Sequence, residues 1–270
     1  MPKTDLSLRP IHYACVSGGK DSLYMVGVII NNPDKYPLDM VVHFDLEIDW
    51  EWSKKVVDKI EEMCYYAGIK FLRLKPDVTW DELCDKYGFP TVKARWCNEH
   101  YKLVPDKQLR KWISEQNCRP VAYIGFCADE DKRFKYDIGD WKNQDICYPL
   151  AEEGIIESDV LLWARKHPLL KQWYSLFKRQ GCKLCPMISR LELAYMFKYE
   201  NKTYQKYISR AKEKEEKFGV RVWKEYTAEY MDNLIQTKWL SILESCECFT
   251  QLDLFVDFDL SAGEACGSRG

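Results

Sequence analysis

Short apolar runs alternate with longer amphipathic segments along the N-terminal half of the chain. The short runs are typical of buried strands, and the amphipathic segments between them are typical of helices. Strands that alternate with helices at this spacing form βαβ units, which assemble into a parallel sheet. The predicted strands span residues 11–16, 41–44, 69–74, 121–126 and 146–150, and the predicted helices between them span 23–30, 53–67, 80–87 and 101–116.

The sequence therefore predicts an α/β fold, with a doubly wound, mostly parallel five-stranded sheet and helices on both faces. After Ser158 the pattern changes to helical segments, at 159–166, 171–179 and 191–218. We accordingly divide the chain into an α/β domain over residues 1–158 and a mainly helical C-terminal region over residues 159–270, which ends in a small, polar tail.

Composition limits the classes of protein to which the chain can belong. Its 270 residues suit one large domain or one domain with an appendage, and 46% hydrophobic residues provide for a core. Because 40 basic side chains nearly balance 42 acidic ones, the net charge of −2 gives no general attraction to nucleic acid or membrane. A polar N-terminus and the lack of a bilayer-length apolar run predict a cytoplasmic protein with no membrane partner. In that compartment the 12 cysteines are buried residues, ligands or nucleophiles rather than a disulfide framework.

Residues 17–22, Ser-Gly-Gly-Lys-Asp-Ser, lie between the first predicted strand and the first predicted helix. A small turn at a helix start gathers backbone N–H groups and the positive helix end around one point, which is the geometry of a phosphate site. Lys20 adds a positive charge, and Ser17 and Ser22 add hydroxyl donors. Asp21 would repel a bare phosphate, so it is either favoured by the helix dipole or an indirect contact to magnesium. The alternative is a glycine-rich turn without a ligand.

Cysteines near basic residues form a second group of candidates. Cys182 and Cys185 have the C-x-x-C spacing, with which two thiolates bind one metal ion or one cluster edge. The alternatives are a redox pair, half of a zinc site, or two cysteines without a special role. Cys97 lies in a basic segment, where Arg95 and Lys102 would lower the pKa of its thiol and favour the thiolate.

Together these segments resemble the PAPS reductase family of the N-type ATP pyrophosphatases, a branch of the PP-loop superfamily. The resemblance lies in the loop at 17–22, the basic segment at 93–102, the segment at 125–133, the Tyr-Pro-Leu at 148–150 and the Gly-Cys-x-x-Cys-Pro at 181–186. It covers about residues 11–187. The resemblance implies that the loop, with Gly18 and Gly19, binds the phosphates of an adenine nucleotide, either ATP or an adenylylsulfate-type nucleotide.

Further nucleotide contacts follow from the same resemblance and from the predicted sheet. Arg95, Lys102 and Arg133 match the basic residues that line the family's nucleotide and anion pocket. Asp45 follows the second strand, so it would face the same nucleotide as the loop, and Asp45 or Asp21 would help to hold Mg²⁺.

The cysteine pattern departs from the family's. Family members with an iron–sulfur cluster have a Cys-Cys pair upstream of the C-x-x-C, and Trp96 occupies the first position of that pair here. Cys97, Cys182 and Cys185 match directly, so a 4Fe-4S cluster on these three would leave one iron open. The alternatives are completion of the shell by Cys127 or Cys147, a Zn²⁺ site with His100 as fourth ligand, and no metal.

The resemblance implies an enzyme that cleaves ATP at the α-phosphate, releases pyrophosphate and couples the adenylated intermediate to sulfur transfer. Lys20 and Asp21 would be catalytic, and tRNA, DNA or a sulfur-donor protein would be a partner. The basic residues of segment 191–218 would form the docking surface for a nucleic acid. One alternative is a phosphoadenylylsulfate or adenylylsulfate reductase, for which Cys266 in the C-terminal tail would be the nucleophile. A second alternative is a nucleotide-binding module without catalysis.

Overall fold

A computed structural model of the chain describes residues 7–134 and 145–252. These residues form two compact units. The first unit contains the described residues up to Leu46, together with Trp50–Asp77 and Asn98–Lys171. The second contains Glu47–Asp49, Val78–Cys97 and the described residues from Gln172 onward. Within the described ranges, no helix is both long enough and apolar enough to cross a bilayer.

The first unit is built on a five-stranded sheet in which every pairing is parallel. Its strands lie in the order β3-β2-β1-β4-β5, so the chain moves outward from β1 in one direction and then returns to pair β4 with the other edge of β1. This is the doubly wound arrangement, with its topological switch point between β1 and β4. The predicted fold class is therefore confirmed. The strands are β1 Arg9–Val16, β2 Met40–Phe44, β3 Lys70–Leu74, β4 Cys118–Tyr123 and β5 Asp145–Cys147.

Helices connect the strands and make up most of the second unit. Two π-helical turns, Glu99–Leu103 and Ile235–Trp239, lead into α5 and α13. The helices are α1 Lys20–Asn31, α2 Glu51–Tyr66, α3 Trp80–Tyr87, α4 Trp96–Asn98, α5 Val104–Glu115, α6 Asp131–Phe134, α7 Pro149–Glu152, α8 Glu157–Lys166, α9 Lys171–Tyr174, α10 Arg190–Tyr199, α11 Asn201–Phe218, α12 Ala228–Leu234 and α13 Leu240–Leu252.

One core cluster of the first unit lies between the sheet and α5. Strand residues of β1, β2 and β4 pack against two apolar side chains of α5, which recur one helical turn apart. This packing fixes the central strands, and with them the loops at their carboxyl ends. The buried cluster consists of Tyr13, Met40, Val42, Leu109, Ile113 and Ala122.

Four predicted elements differ from the structure. The fifth strand ends at Cys147 rather than at residue 150, because α7 begins at Pro149. The fourth strand ends at Tyr123 rather than at residue 126, so Gly125 lies in the loop that follows it. The helix expected over 191–218 is two helices, because Glu200 takes a non-helical conformation (φ −133°, ψ 52°) between α10 and α11. The helix expected over 171–179 is only the single turn of α9.

Candidate functional site

The loop at 17–22 connects the carboxyl end of β1 to the start of α1. Gly18 has φ +60°, and a Cβ atom at this position would lie 2.5 Å from Ser53 Oγ and 2.6 Å from the Ser53 carbonyl oxygen. Both the backbone conformation and the close approach of α2 therefore require glycine. Gly19 is the N-cap of α1 and has no side chain with which to cap it. The N-terminal amides of α1 thus face the loop, as a phosphate site requires.

The two serines of the loop contact each other. The Ser17 N–H donates to Ser22 Oγ at 3.0 Å, and the two hydroxyl oxygens lie 3.2 Å apart. Ser22 is buried on the first turn of α1, whereas Ser17 is exposed. The hydroxyl groups therefore lie where the sequence predicts them, beside the start of the helix.

Lys20 is held by two carboxylates. Its side chain is 2% exposed, and its Nζ donates to Asp21 Oδ1 and Glu157 Oε1, both at 2.7 Å. Burial lowers the pKa of Lys20, but the charges and hydrogen bonds of Asp21 and Glu157 outweigh it and raise the pKa above its ordinary value. Lys20 is therefore a fixed ammonium ion in this structure, and Glu157 is a site residue that the sequence did not reveal.

Cys127 completes this cluster. Its buried Sγ lies 3.9 Å from Asp21 Oδ1 and 3.8 Å from Glu157 Oε2, and burial raises the pKa of the thiol well above its ordinary value. The donor atoms of these three residues lie within 4.8 Å of one another, close enough to hold a metal ion. A Cβ on Gly125 would lie 3.2 Å from the Asp21 carbonyl oxygen, so the loop after β4 packs directly on the start of α1. The cluster thus lies at the switch point of the sheet, where ligands of such folds bind.

The remaining nucleotide-binding candidates of the first unit are spread along the carboxyl ends of the strands and the segment before α5. Asp45 follows β2, and Lys102 lies in the π-helical turn Glu99–Leu103, where its charge acts on the Cys15 thiol. Arg133 pairs with Glu130 at 2.6 Å, and its guanidinium lies 3.8 Å from the centroid of the Phe126 ring. His100 and Cys147, the alternative metal ligands, also belong to this unit.

The second unit contains the other three metal candidates, Cys97, Cys182 and Cys185. Cys182 and Cys185 are hydrogen-bonded to each other, and Cys97 is close enough to contribute to the raised pKa of Cys182. The hydrogen bond from Cys182 lowers the pKa of Cys185 to about 7, with a further contribution from the Met187 N–H, which donates to Cys185 Sγ at 3.4 Å. Cys185 is therefore the cysteine of this group that most readily forms a thiolate.

The donor chemistry of the C-x-x-C segment suits a metal or cluster, although Cys97, Cys182 and Cys185 do not form one of the described groups whose ligand atoms all lie within 4.8 Å of one another. Three thiols with one facile thiolate are a donor set that suits iron–sulfur clusters and zinc. Glu192, whose side chain is 3% exposed, caps α10 through Ser189, and its Oε1 is buried without a hydrogen-bond partner among the described residues. Its charge acts on Cys185. Glu192 is also acted on by the Gly181 backbone and by the charge of Arg179, so a buried acidic side chain adjoins Cys185.

Trp96 occupies the position at which the sequence comparison expected the first cysteine of a pair. The indole is 8% exposed, donates to the Gly88 carbonyl at 2.9 Å and packs against Trp80, with 5.7 Å between the ring centroids. The position therefore serves the core of the second unit. Arg95, its neighbour, is exposed and lies 3.8 Å from the sulfur of Met187, at the end of the C-x-x-C segment.

Several candidates have surroundings that the sequence did not predict. Cys127 lies against Asp21 and Glu157 in the first unit, while the other three metal candidates belong to the second. Cys266 lies outside the described residues. Four basic residues of the expected docking surface take internal partners, which reduces its free positive charge; the pairs are Lys198 with Glu247, Lys206 with Asp81, Arg210 with Asp85, and Lys214 with the Tyr87 carbonyl.

Comparisons with known proteins give distant likenesses. No family model matches the chain. An uncharacterised protein of Methanocaldococcus jannaschii is 28% identical over 219 residues, which cover 78% of this chain and 43% of that protein. The chain therefore spans less than half the length of this curated relative.

Two solved structures are similar to the fold. One is a phosphoadenylyl-sulfate (PAPS) reductase from Candida auris in complex with phosphate, with 14% identity and a TM-score of 0.39 over 58% of this chain and 72% of that one. The other is the U34-tRNA thiolase NcsA from Methanococcus maripaludis with its 4Fe-4S cluster, with 16% identity and a TM-score of 0.40 over 96% of this chain and 79% of that one.

Proposed function

We propose that the chain is a PP-loop enzyme that binds ATP, cleaves it at the α-phosphate and couples the cleavage to sulfur transfer. The observation that carries the proposal is the loop at 17–22, in which Gly18 takes a positive φ beneath α2 and Lys20 lies at the switch point of the sheet. A loop of this shape at a helix N-terminus suits the pyrophosphate end of a nucleotide.

In the proposed reaction, an oxygen of the acceptor attacks the α-phosphorus, the bond to the bridging oxygen breaks, and pyrophosphate leaves. The loop amides and Lys20 stabilise the charge that develops on the phosphate oxygens, and the closed backbone of the loop positions the leaving group. Mg²⁺ would be held by Asp21, with Glu157 or Asp45 as a further oxygen ligand, and would neutralise the phosphates.

The sulfur half of the proposal depends on the three cysteines of the second unit. A sulfur nucleophile carried at this site would displace AMP from the adenylated acceptor, forming a carbon–sulfur bond where the activated oxygen was. Cys185 suits ligation of a metal or cluster because its lowered pKa makes the thiolate available near neutral pH. Cys97, Cys182 and Cys185 would hold a 4Fe-4S cluster, or alternatively Zn²⁺, and a cluster held there would supply the chemistry that binds sulfur. The acceptor we propose is a nucleic acid, either tRNA or DNA.

The proposal is tested by anaerobic purification, followed by measurement of iron, labile sulfide and zinc and by an assay of pyrophosphate release from ATP. We expect iron with sulfide, and pyrophosphate without free phosphate as the first product. Lys20→Met should lower the release of pyrophosphate by at least about 100-fold, since it removes preorganised charge at the reacting phosphates.

Lys35→Met is the matched control, because Lys35 follows the same helix and pairs with Glu153 rather than with the loop. It should leave the release of pyrophosphate unchanged. Sulfite release from adenylylsulfate instead of pyrophosphate from ATP would identify a reductase, and nucleotide binding without turnover would show a non-catalytic module. Either result would contradict the proposed reaction.

A further inference from the structure

We propose that Glu157 is a specificity-determining residue of the phosphate loop, which makes the loop accept a polyphosphate as its divalent-cation complex and reject the metal-free anion. The inference rests on the proposed nucleotide site. It concerns a residue at the start of α8, which lies 137 positions from Lys20 in sequence and contacts its ammonium directly.

The charges around Lys20 carry the argument. One ammonium is paired with two carboxyl groups, Asp21 and Glu157, at equal distances of 2.7 Å, and these three side chains together bear one negative charge when both carboxyl groups are ionised. Burial raises the pKa of Glu157, and the hydrogen bond from Lys20 opposes that rise. Cys127 adds no positive charge, because it is a thiol. The amides at the start of α1 contribute only about half an elementary charge to the positive side. A loop with this balance does not attract a bare phosphate.

The difference in burial between Lys20 and the two carboxylates determines which charge an incoming ion meets first. Lys20 is 2% exposed, whereas the side chains of Asp21 and Glu157 are 36% and 38% exposed. The ammonium is therefore shielded from solvent behind two carboxylates that solvent reaches. An approaching anion therefore meets the carboxylates, which repel it, before it reaches the ammonium. A dissolved cation meets the same carboxylates, which attract it.

The geometry suggests how a divalent cation would change the pairing of Lys20 with the two carboxylates. Donor atoms of Asp21, Glu157 and Cys127 lie within 4.8 Å of one another around the position that the Lys20 ammonium now shares. A cation brought by the nucleotide would pair with the two carboxylates through oxygen ligands, which hard cations prefer. Lys20 would then be released to the phosphate oxygens, and the sum of charges at the loop would become positive.

Helix-capping needs do not account for Glu157. The backbone N–H of Glu157 donates to Asp129 Oδ1 at 2.9 Å, so it does not need the Glu157 carboxylate as a hydrogen-bond acceptor. The carboxylate instead extends to Lys20. A comparable pair elsewhere in the unit is Glu153 with Lys35, at 2.6 Å, where the lysine is 54% exposed and pairs with Glu153 rather than with a loop residue. Glu153→Gln is therefore a matched control for Glu157→Gln.

The experiment measures the affinity of the full chain for inorganic pyrophosphate and for the α,β-methylene analogue of ATP, whose bridge is not cleaved. Calorimetric titrations are made with Mg²⁺ and with EDTA, for the wild type and for both variants, and Tm is recorded to verify folding. The wild type and Glu153→Gln should bind both probes at least about tenfold more weakly in EDTA, a difference of about 1.4 kcal/mol. Glu157→Gln should bind the metal-free probes about tenfold more tightly than the wild type, so its Mg²⁺ dependence should nearly vanish.

Two results would overturn the inference while leaving the proposed function intact: an unchanged Mg²⁺ dependence in Glu157→Gln, or a loss of affinity in that variant with and without Mg²⁺. If pyrophosphate shows the expected pattern but the ATP analogue does not bind, the inference holds and the nucleotide function fails. If neither probe binds to any folded variant, both are overturned.

Discussion

Replacement of Gly18 by alanine tests the loop backbone on which the proposed nucleotide site depends. An L-residue at φ +60° costs roughly 1–2 kcal/mol relative to glycine. The new Cβ would also lie 2.5 Å from Ser53 Oγ, 2.6 Å from the Ser53 carbonyl and 3.0 Å from Val57 Cγ2, so α1 and α2 must move apart. Overpacking of this kind costs typically 1–3 kcal/mol. We therefore expect Gly18→Ala to lower the free energy of unfolding by about 2–5 kcal/mol.

Such a loss is a large part of the 5–15 kcal/mol that stabilises a typical protein. For a unit of this size it should lower Tm by roughly 4–20 °C, measured by circular dichroism or calorimetry. Nucleotide affinity should fall in the same variant at temperatures where it is still folded, because the amides at the start of α1 are displaced.

Gly27→Ala is the matched control within the same helix. Gly27 lies in α1, and a Cβ there would have no heavy atom within 4 Å. Alanine in a helix interior is more favourable than glycine by about 0.5–1 kcal/mol, so this variant should be at least as stable as the wild type. If Gly18→Ala costs less than about 1 kcal/mol while Gly27→Ala behaves as expected, the loop does not have the described backbone and the reasoning is refuted.

Two further predictions concern titratable groups. Burial raises the pKa of Asp106 above its ordinary value, although it pairs with Arg110 at 2.8 Å, so the folded state binds the extra proton and stability falls as pH rises from about 4. Asp106→Asn should remove this pH dependence. If the free energy of unfolding, measured with urea from pH 4 to 7, changes with pH equally in the wild type and the variant, the prediction is contradicted. Cys185 in the metal-free protein should react with iodoacetamide with a midpoint near pH 7, and Cys185→Ser should remove that reaction, whereas burial raises the pKa of Cys64 to about 12 and should leave it unmodified. Peptide mass mapping distinguishes the sites, and faster labelling of Cys64 would refute the assignment.

Local sequence signals were sufficient to predict the strands of the sheet and the position of the loop at 17–22 between a strand and a helix. The apolar runs identified all five strands because a parallel sheet buried on both faces needs continuous hydrophobic segments. The fourth strand was displaced toward its C-terminal end because its first residues, Cys118, Arg119 and Pro120, do not look like a buried strand, although they pair with Arg9, Pro10 and Ile11. The break at Glu200 between α10 and α11 has no glycine or proline to mark it, so periodicity alone extended one helix through it.

The sequence did not predict which acidic side chain pairs with each basic side chain. Lys20 reads as a phosphate-binding cation within its motif, yet its state is decided by Glu157, whose only local signal is that acidic residues favour the first turn of a helix. The same reason weakens the basic surface expected on the C-terminal helices, since Lys206 and Arg210 are neutralised by Asp81, more than a hundred positions earlier. Motifs specify which groups can act, whereas long-range pairing determines which of them carry a free charge. For this chain, the chemistry of the loop therefore depends on whether a ligand can separate Lys20 from Glu157.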